Sequence, residues 1–471
     1  AEHSRLTFMH KNVKAVFATL LCMGLQTAIG SAEAGPEVDA KIKKAMIAPV
    51  NKVLVDLATN FQRTASASFS GFVTKLDDSS IRDDYVVFSP RLEGETEASL
   101  NEEFSIGMKG YFSLSTDPDT VQGWFNGPGQ HYRKIRHADL TAAWLKYEAE
   151  DYELILGKDV LSMGLLELHS PSDRFGLWDG SDPSSTTELG VWHLGLNYFI
   201  DDDTISFKFL PFDKKSISPG LGSRWAGTSG SSVFLDLPAG SSVVDFYHPT
   251  HFENMGYLAL YEGAREGIDF FGFAHHGPSS YSALSSTTRN VADFNSLVLE
   301  RVNPISLSTG AGLSRVIDEW KFTGEVVYQR TYNGRDEDFI RYGAGLSYTD
   351  SRFANFLGLE KITSIAEFSG DEIISDAYAD DWVQSSKLSR PFRRTVFLRV
   401  VVEHNEELSY FAGSTVNIKY EDHTFGAGVE YRPSDNLKIQ MSGAFFEGNS
   451  DTHFGRWTDN ELIRLGAEYS F

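Results

Sequence analysis

The sequence predicts an all-β protein: a transmembrane, antiparallel, up-and-down β-barrel of about eighteen strands, with sixteen as the alternative, behind a short N-terminal helix. Three observations predict it. From Arg63 onward apolar and polar residues alternate with a period of two, as on strands with one apolar and one polar face. No stretch beyond the first 34 residues approaches the roughly 18 consecutive apolar residues of a spanning helix, which excludes a helical membrane protein. Long and short connections alternate between the strand segments, as a barrel with loops at one end and tight turns at the other requires.

Taken in order, residues 1–8 read as an extension ahead of Met9. Lys11 and Lys14 then precede an apolar run from 15 to 25 and small residues ending in Ala32-Glu33-Ala34, the pattern of a secretory signal cleaved after Ala34. The run holds about a dozen residues, against about 20 for a spanning helix. Cys22, the only cysteine, lies inside it, so the mature chain is expected to carry no disulfide and no thiol chemistry. Residues 35–63 form an N-terminal lead in which the spacing is helical from Val38 to Phe61, with Ile42, Met46, Val50, Val53, Leu54, Leu57 and Phe61 along one stripe and Pro49 kinking it. This helix is expected to cap one mouth of the barrel or lead into it; a lumenal plug and an oligomerisation helix are the alternatives.

Residues 64–471 form the barrel. Strands are expected at 65–76, 85–98, 103–115, 138–148, 152–160, 191–200, 204–211, 254–263, 266–275, 296–316, 319–331, 338–349, 357–369, 394–404, 407–420, 423–432, 436–447 and 460–471. Segments such as Trp192, Leu194, Leu196, Tyr198 and Ile200 show a clean apolar face. The 296–316 segment is read as one strand despite Pro304, placed at the rim where ladder bonding is weakest. Splitting it would give nineteen strands and put the last loop on the wrong side. Closure follows from solvent: in hydrocarbon an unpaired backbone N–H or C=O costs several kcal/mol, and only a closed sheet has no edge.

Composition narrows the function classes. Against 42 Lys and Arg stand 65 Asp and Glu, a net charge of −23, which makes nucleic acid an improbable partner. Aromatics reach 13%, with 34 Phe, 19 Tyr and 8 Trp, and there are 41 Gly. A membrane barrel uses aromatics at both interfaces and needs only every second residue apolar.

The final segment, L-I-R-L-G-A-E-Y-S-F, puts Ile463, Leu465, Ala467, Tyr469 and Phe471 on one face and Arg464, Gly466, Glu468 and Ser470 on the other. It resembles the terminal strand of Gram-negative outer-membrane β-barrels, whose assembly machinery reads such an aromatic ending. The signal, the cysteine-free mature chain, the amphipathic strands and the loop asymmetry together resemble porins and related barrels over residues 65–471. The resemblance implies an outer-membrane location, contact with membrane lipid and lipopolysaccharide, small hydrophilic solutes as cargo, and a homo-oligomer; it names no subfamily.

Opposite parity to the apolar faces assigns the lumen. The pore-lining candidates are Arg91, Lys109, Lys208, Lys321, Glu325, Arg341, Lys361, Arg399, Lys419, Glu430, Arg464 and Glu468, with Glu367 on the same face of its strand. Basic groups outnumber acidic ones there, so a mild anion preference is expected; pairing of the charges across strands is the competing expectation. In the loop at 161–190, Asp173, Arg174, Trp178, Asp179 and Asp182 are candidates for a constriction, by inward folding of a long loop; an ordinary exposed loop is the competing expectation. Their spacing is not that of a calcium loop, and no metal or cofactor is assigned. Arg390, Arg393 and Arg394 form a candidate anion-binding rim. No hydrolase, phosphate-loop or metalloprotease motif occurs, so the chain is expected not to be an enzyme. The expected function is a passive porin; a barrel for polymer export or partner assembly is the alternative, and a barrel hydrolase the least favoured.

Overall fold

A computed structural model describes residues 55–74, 86–116, 137–213, 215–217, 219, 223–226, 242–286, 298–378, 382–387 and 389–471. The signal and residues 35–54 of the leading helix lie outside the described residues.

Eighteen strands make one sheet. They are β1 (Gln62–Phe72), β2 (Val86–Ser99), β3 (Phe104–Ser113), β4 (Ala138–Glu148), β5 (Tyr152–Asp159), β6 (Val191–Ile200), β7 (Asp203–Leu210), β8 (Gly256–Arg265) and β9 (Ile268–Pro278). The second half comprises β10 (Ile305–Ile317), β11 (Trp320–Thr331), β12 (Asp338–Asp350), β13 (Lys361–Ser375), β14 (Arg394–Glu403), β15 (Leu408–Asn417), β16 (Asp422–Ser434), β17 (Leu437–Glu447) and β18 (Leu462–Ser470). Each pairs antiparallel with the next, and β18 returns to β1 with Ala467 opposite Ala67 and Ser470 opposite Thr64. The Phe471 N–H donates to the Arg63 carbonyl at 3.0 Å, extending this seam by one residue. The sheet has no edge.

Turns at one end are tight. Asp201, Glu266 and Asp318 hold positive φ (50°, 53° and 52°) at the first turn position, and Gly267 follows Glu266 at 74°. Two-residue hairpins demand this left-handed backbone, because it matches the twist of the flanking strands. The turn between β12 and β13 is longer and contains a short helix, Arg352–Phe356. Long connections leave the other end after β1, β3, β5, β7, β9, β13 and β17.

Pro304 does break the segment that the sequence suggested was one strand. It has no N–H to give a ladder, and β10 begins just after it. Val298–Val302 instead joins a separate sheet with Ser242–Asp245, Ala283–Ser286 and Trp382–Val383 among the long loops. The barrel keeps its even count because this piece leaves the wall. Elsewhere boundaries shift by a few residues: β1 begins and ends earlier than expected, and β13 runs from Lys361 to Ser375.

The outer wall is apolar and the protein is in this sense inside out. Leu156, Leu313 and Leu465 each expose more than half of their surface. In water that exposure would cost about 25 cal/mol per Å²; against hydrocarbon it costs nothing. Of the leading helix, residues 55–59 are helical. Its end packs on β2 at the tight-turn end: Thr96 Oγ1 donates to the Leu57 carbonyl (2.6 Å) and Asn60 Nδ2 to the Glu97 carbonyl (2.9 Å). This described part lies at the mouth.

The two faces make opposite predictions for one new charge. Leu465→Arg, on the outer face of β18, should lower stability in lipid by about 2–4 kcal/mol at mid-membrane depth. Gln440→Arg, on the inner face of β17, should cost much less. Denaturant titration in vesicles measures both.

Candidate functional site

The lumen is crossed by the connection between β5 and β6, residues 160–190. Residues 165–169 of this segment have no strand beside them, yet each of their backbone N–H groups still requires an acceptor. Two wall carboxylates supply them. The N–H groups of Leu165 and Leu166 donate to Glu325 Oε1 (2.5 and 2.8 Å), and Ser170 Oγ and the Ser172 N–H donate to Oε2 (2.6 and 3.3 Å). The Glu167 N–H donates to Glu367 Oε1 (2.6 Å), and those of Leu168 and His169 to Oε2 (3.0 and 2.9 Å). Five successive N–H groups thus converge on two carboxylates from β11 and β13. On β12 between them, Gly343 and Gly345 leave the space that Leu166 fills; a Cβ at either glycine would strike its side chain. Beyond the turn, His169 stacks on Phe397 of β14 at 5.0 Å.

The far end of the segment is held with the opposite polarity. Residues Leu177–Asp179 and Thr187–Leu189 form a small hairpin. At its tip, Arg464 of β18 donates to Asp182 Oδ2 (2.7 Å) and to the Ser184 carbonyl (3.1 Å), while its Nε donates to Ser70 Oγ (2.9 Å). Arg91 of β2 donates to Thr187 Oγ1 (3.1 Å). Carboxylates on one wall therefore hold the segment's N–H groups, and arginines on the other hold its oxygens. Between the two anchors, Leu161, Met163 and Phe175 pack against Leu258, Leu260, Phe271, Phe273 and Val327, which point inward from β8, β9 and β11.

Most sequence-derived lumenal residues face inward, and most are paired. Lys109 meets Glu95 (3.2 Å), Lys321 meets Glu167 (3.0 Å), Lys361 meets Glu403 (2.7 Å), Glu430 meets Arg432 (2.6 Å) and Glu468 meets Lys438 (3.0 Å). Lys208 faces in from β7 beside the buried Ser206. Arg341 is buried against Asp371 (3.4 Å) and donates to His169 Nε2 (2.9 Å). Arg399 is exposed on the inner face of β14 with no ion partner among the described residues. Lys419 is a correction: β15 ends at Asn417, so Lys419 lies in the connection to β16, at the rim rather than in the pore.

The constriction candidates divide between two cavities on either side of the hairpin. Asp173, Arg174 and Trp178 line one of about 390 Å³; Asp179 and Asp182 line another of about 300 Å³. Arg174 is 6% exposed and donates to Gln329, and two of its guanidinium nitrogens, Nε and Nη1, have no partner. Burial, with the Arg390 charge adding, pushes its guanidinium down to about 9, so it stays cationic at neutral pH. Burial pushes the Asp173 carboxyl up to about 6.

The three rim arginines do not form one site. Arg390 is fully buried on Asp371 (2.8 Å) and Glu337; Arg393 lies beside the same Asp371; Arg394 points outward to Glu372 (3.2 Å). They lock the connection between β13 and β14 to the wall rather than presenting a cluster to anions.

A seamless antiparallel cylinder, apolar outside and charged within, with loops at one end and turns at the other, decides the class. The fold is that of a porin-like outer-membrane β-barrel. No protein-family model and no curated protein matches the chain. Among solved structures it is similar to OccK3 (OpdO) of Pseudomonas aeruginosa, with 14% identity over 90% of this chain and 98% of that one and a TM-score of 0.49. OccAB4 of Acinetobacter baumannii shares 9% identity over 87% and 97%, TM-score 0.49. OpdK of Pseudomonas aeruginosa, solved with vanillate, shares 10% over 88% and 99%, TM-score 0.48. The interior of this barrel has to be understood from its own side chains.

Removing the carboxylate anchors should free the segment. A hydrogen bond to a charged group contributes about 1.5–3 kcal/mol, so Glu325→Gln with Glu367→Gln should loosen residues 160–190 and expose them to protease added from the extracellular side, while the barrel stays folded. Gly343→Val should act in the same direction by displacing Leu166. Arg390→Ala should cost about 3–5 kcal/mol, because it strands buried carboxylates.

Proposed function

We propose that the chain is an outer-membrane channel for passive diffusion of small hydrophilic solutes, with a mild preference for anions. At about eighteen strands a barrel is wider than its own side chains can fill, and the inserted segment narrows it rather than sealing it with a separate domain. The observation that carries the preference is Arg174. It holds a positive charge at neutral pH at the wall of the 390 Å³ cavity, with two nitrogens lacking a hydrogen-bond partner and Tyr281 and Ser279 beside it. A buried cation with spare donors favours an anion over a neutral molecule of the same size. Arg399 adds a second open cation on the inner wall.

Most other lumenal cations are answered by a carboxylate, which is why the preference is mild. Pairing cancels the field that an unpaired ring of Lys and Arg would generate. Selection therefore falls on one stretch of the path instead of on the whole barrel. No reaction is assigned to the chain.

Reconstituted in a planar bilayer under a salt gradient, the protein should give steady ohmic steps and a reversal potential on the anion side. Arg174→Gln should move that potential toward zero. A silent bilayer would contradict the channel reading and favour export or assembly. Acid should strengthen the preference. Asp173 lines the same cavity and loses its negative charge as the pH falls through about 6, which makes the cavity wall more positive. The reversal potential should accordingly shift further to the anion side between pH 7.5 and pH 5, and Asp173→Asn should remove that pH dependence.

A further inference from the structure

The second cavity, about 300 Å³, lies between the hairpin tip and the wall formed by β17, β18, β1, β2 and β3. Its chemistry differs from that of the Arg174 cavity. Strand register lines up hydroxyls on this wall: Ser68 is opposite Ser89 on one side and Gly466 on the other, and Ser66 is opposite Arg91, which is itself opposite Ser113. Gly466 brings no side chain, so the row stays open. Ser66, Ser68 and Ser113 have no side-chain hydrogen bond within the protein among the described residues, and each offers one donor and two acceptor positions. The hairpin faces them with Ser181 and Ser185.

Three cation–carboxylate pairs close around this space, and Asp179 accepts from the Ser181 N–H (3.1 Å) and Oγ (2.6 Å). Arg91 is held by Glu93 (2.6 Å), Arg464 by Asp182 (2.7 Å) and Lys438 by Glu468 (3.0 Å). An ion entering would have to displace a partner or surrender its hydration without compensation, which is costly. A neutral solute rich in hydroxyls can exchange water for serine one bond at a time. The spacing suits such a solute: side chains on adjacent strands lie about 4.8 Å apart and alternate ones along a strand about 6.7 Å apart, distances that one sugar-sized ring can bridge. Tyr111, with the Arg91 guanidinium 4.0 Å from its ring centre, and the buried Phe72 and Trp225 close the remaining sides of the space.

We propose that this serine-lined compartment is a binding subsite for neutral polyhydroxylated solutes, sugars and polyols of about monosaccharide size. The proposal rests on the channel reading above. It adds that the pore holds such solutes by affinity rather than passing them by size alone.

Current through single reconstituted channels in KCl provides the test, with glucose as probe and polyethylene glycol 200 as a neutral solute of similar size that lacks vicinal hydroxyls. Glucose should produce brief, concentration-dependent closures that polyethylene glycol 200 does not. In the Ser66→Ala/Ser68→Ala/Ser113→Ala variant the half-blocking glucose concentration should rise at least tenfold. Equal effects of the two probes on the wild-type channel would overturn the proposal even if the variant fails to fold, and so would a folded variant with unchanged glucose block. A protein that gives ohmic steps but no glucose closures leaves the channel reading standing and removes the subsite alone. A protein that gives no current removes both.

Discussion

The arrangement depends on charge placed inside a cylinder whose backbone is already fully hydrogen-bonded to itself. The wall's N–H and C=O groups are largely taken up by its own ladder, so residues 165–169 and the hairpin tip are tied to the wall by side chains. Glu325 and Glu367 meet that requirement for the N–H groups of residues 165–169, and Arg464 and Arg91 meet it for the oxygens of the hairpin 177–189. Hydrogen bonds to charged groups are the stronger ones, and in a narrow lumen of lowered dielectric they strengthen further. The inserted segment is thereby fixed across the pore and divides it into two compartments of different chemistry.

From this division follows the functional account. On one side a buried arginine without full partners faces a cavity; on the other, neutralised ion pairs frame a field of hydroxyls. The same lumenal charges that the sequence suggested would attract anions serve mainly to position the segment and to cancel one another. In the proposed channel, selectivity would rest on the few groups that remain open, Arg174 and Arg399 for charge and the serines of β1, β2 and β3 for hydrogen bonding.

The strand pattern, the strand count and the sorting of loops by length were legible in the sequence, because lipid on one side and water on the other impose a period of two on every strand. The inserted segment was visible as a long loop whose Asp, Arg and Trp residues allow either an inward fold or an ordinary exposed loop; its length alone does not choose between them. Its anchors were not. Alternation places Glu325 and Glu367 on the inner face, but nothing local distinguishes a carboxylate that binds a distant backbone from one that pairs with a neighbouring lysine. A signal did exist in Tyr257-Leu258-Ala259-Leu260-Tyr261 and Phe270-Phe271-Gly272-Phe273, where both faces are apolar. In a barrel, apolar side chains facing inward mean that something dry lies against them, here Leu161, Met163 and Phe175. Pro304 misled in the other direction, since the piece before it reads as strand and is one, though in a loop sheet. Lys419 and the Arg390 cluster depended on where β15 and β13 end, which alternation alone does not define.

Amide hydrogen exchange of residues 160–172 in the detergent-solubilised barrel tests the central claim most directly. If two wall carboxylates hold five successive N–H groups, the amides of residues 165–169 should exchange slowly, at rates nearer those of the strands than of an exposed loop, and should become fast when Glu325 and Glu367 are both changed to Gln. Fast exchange of these amides in the wild-type protein would contradict the account.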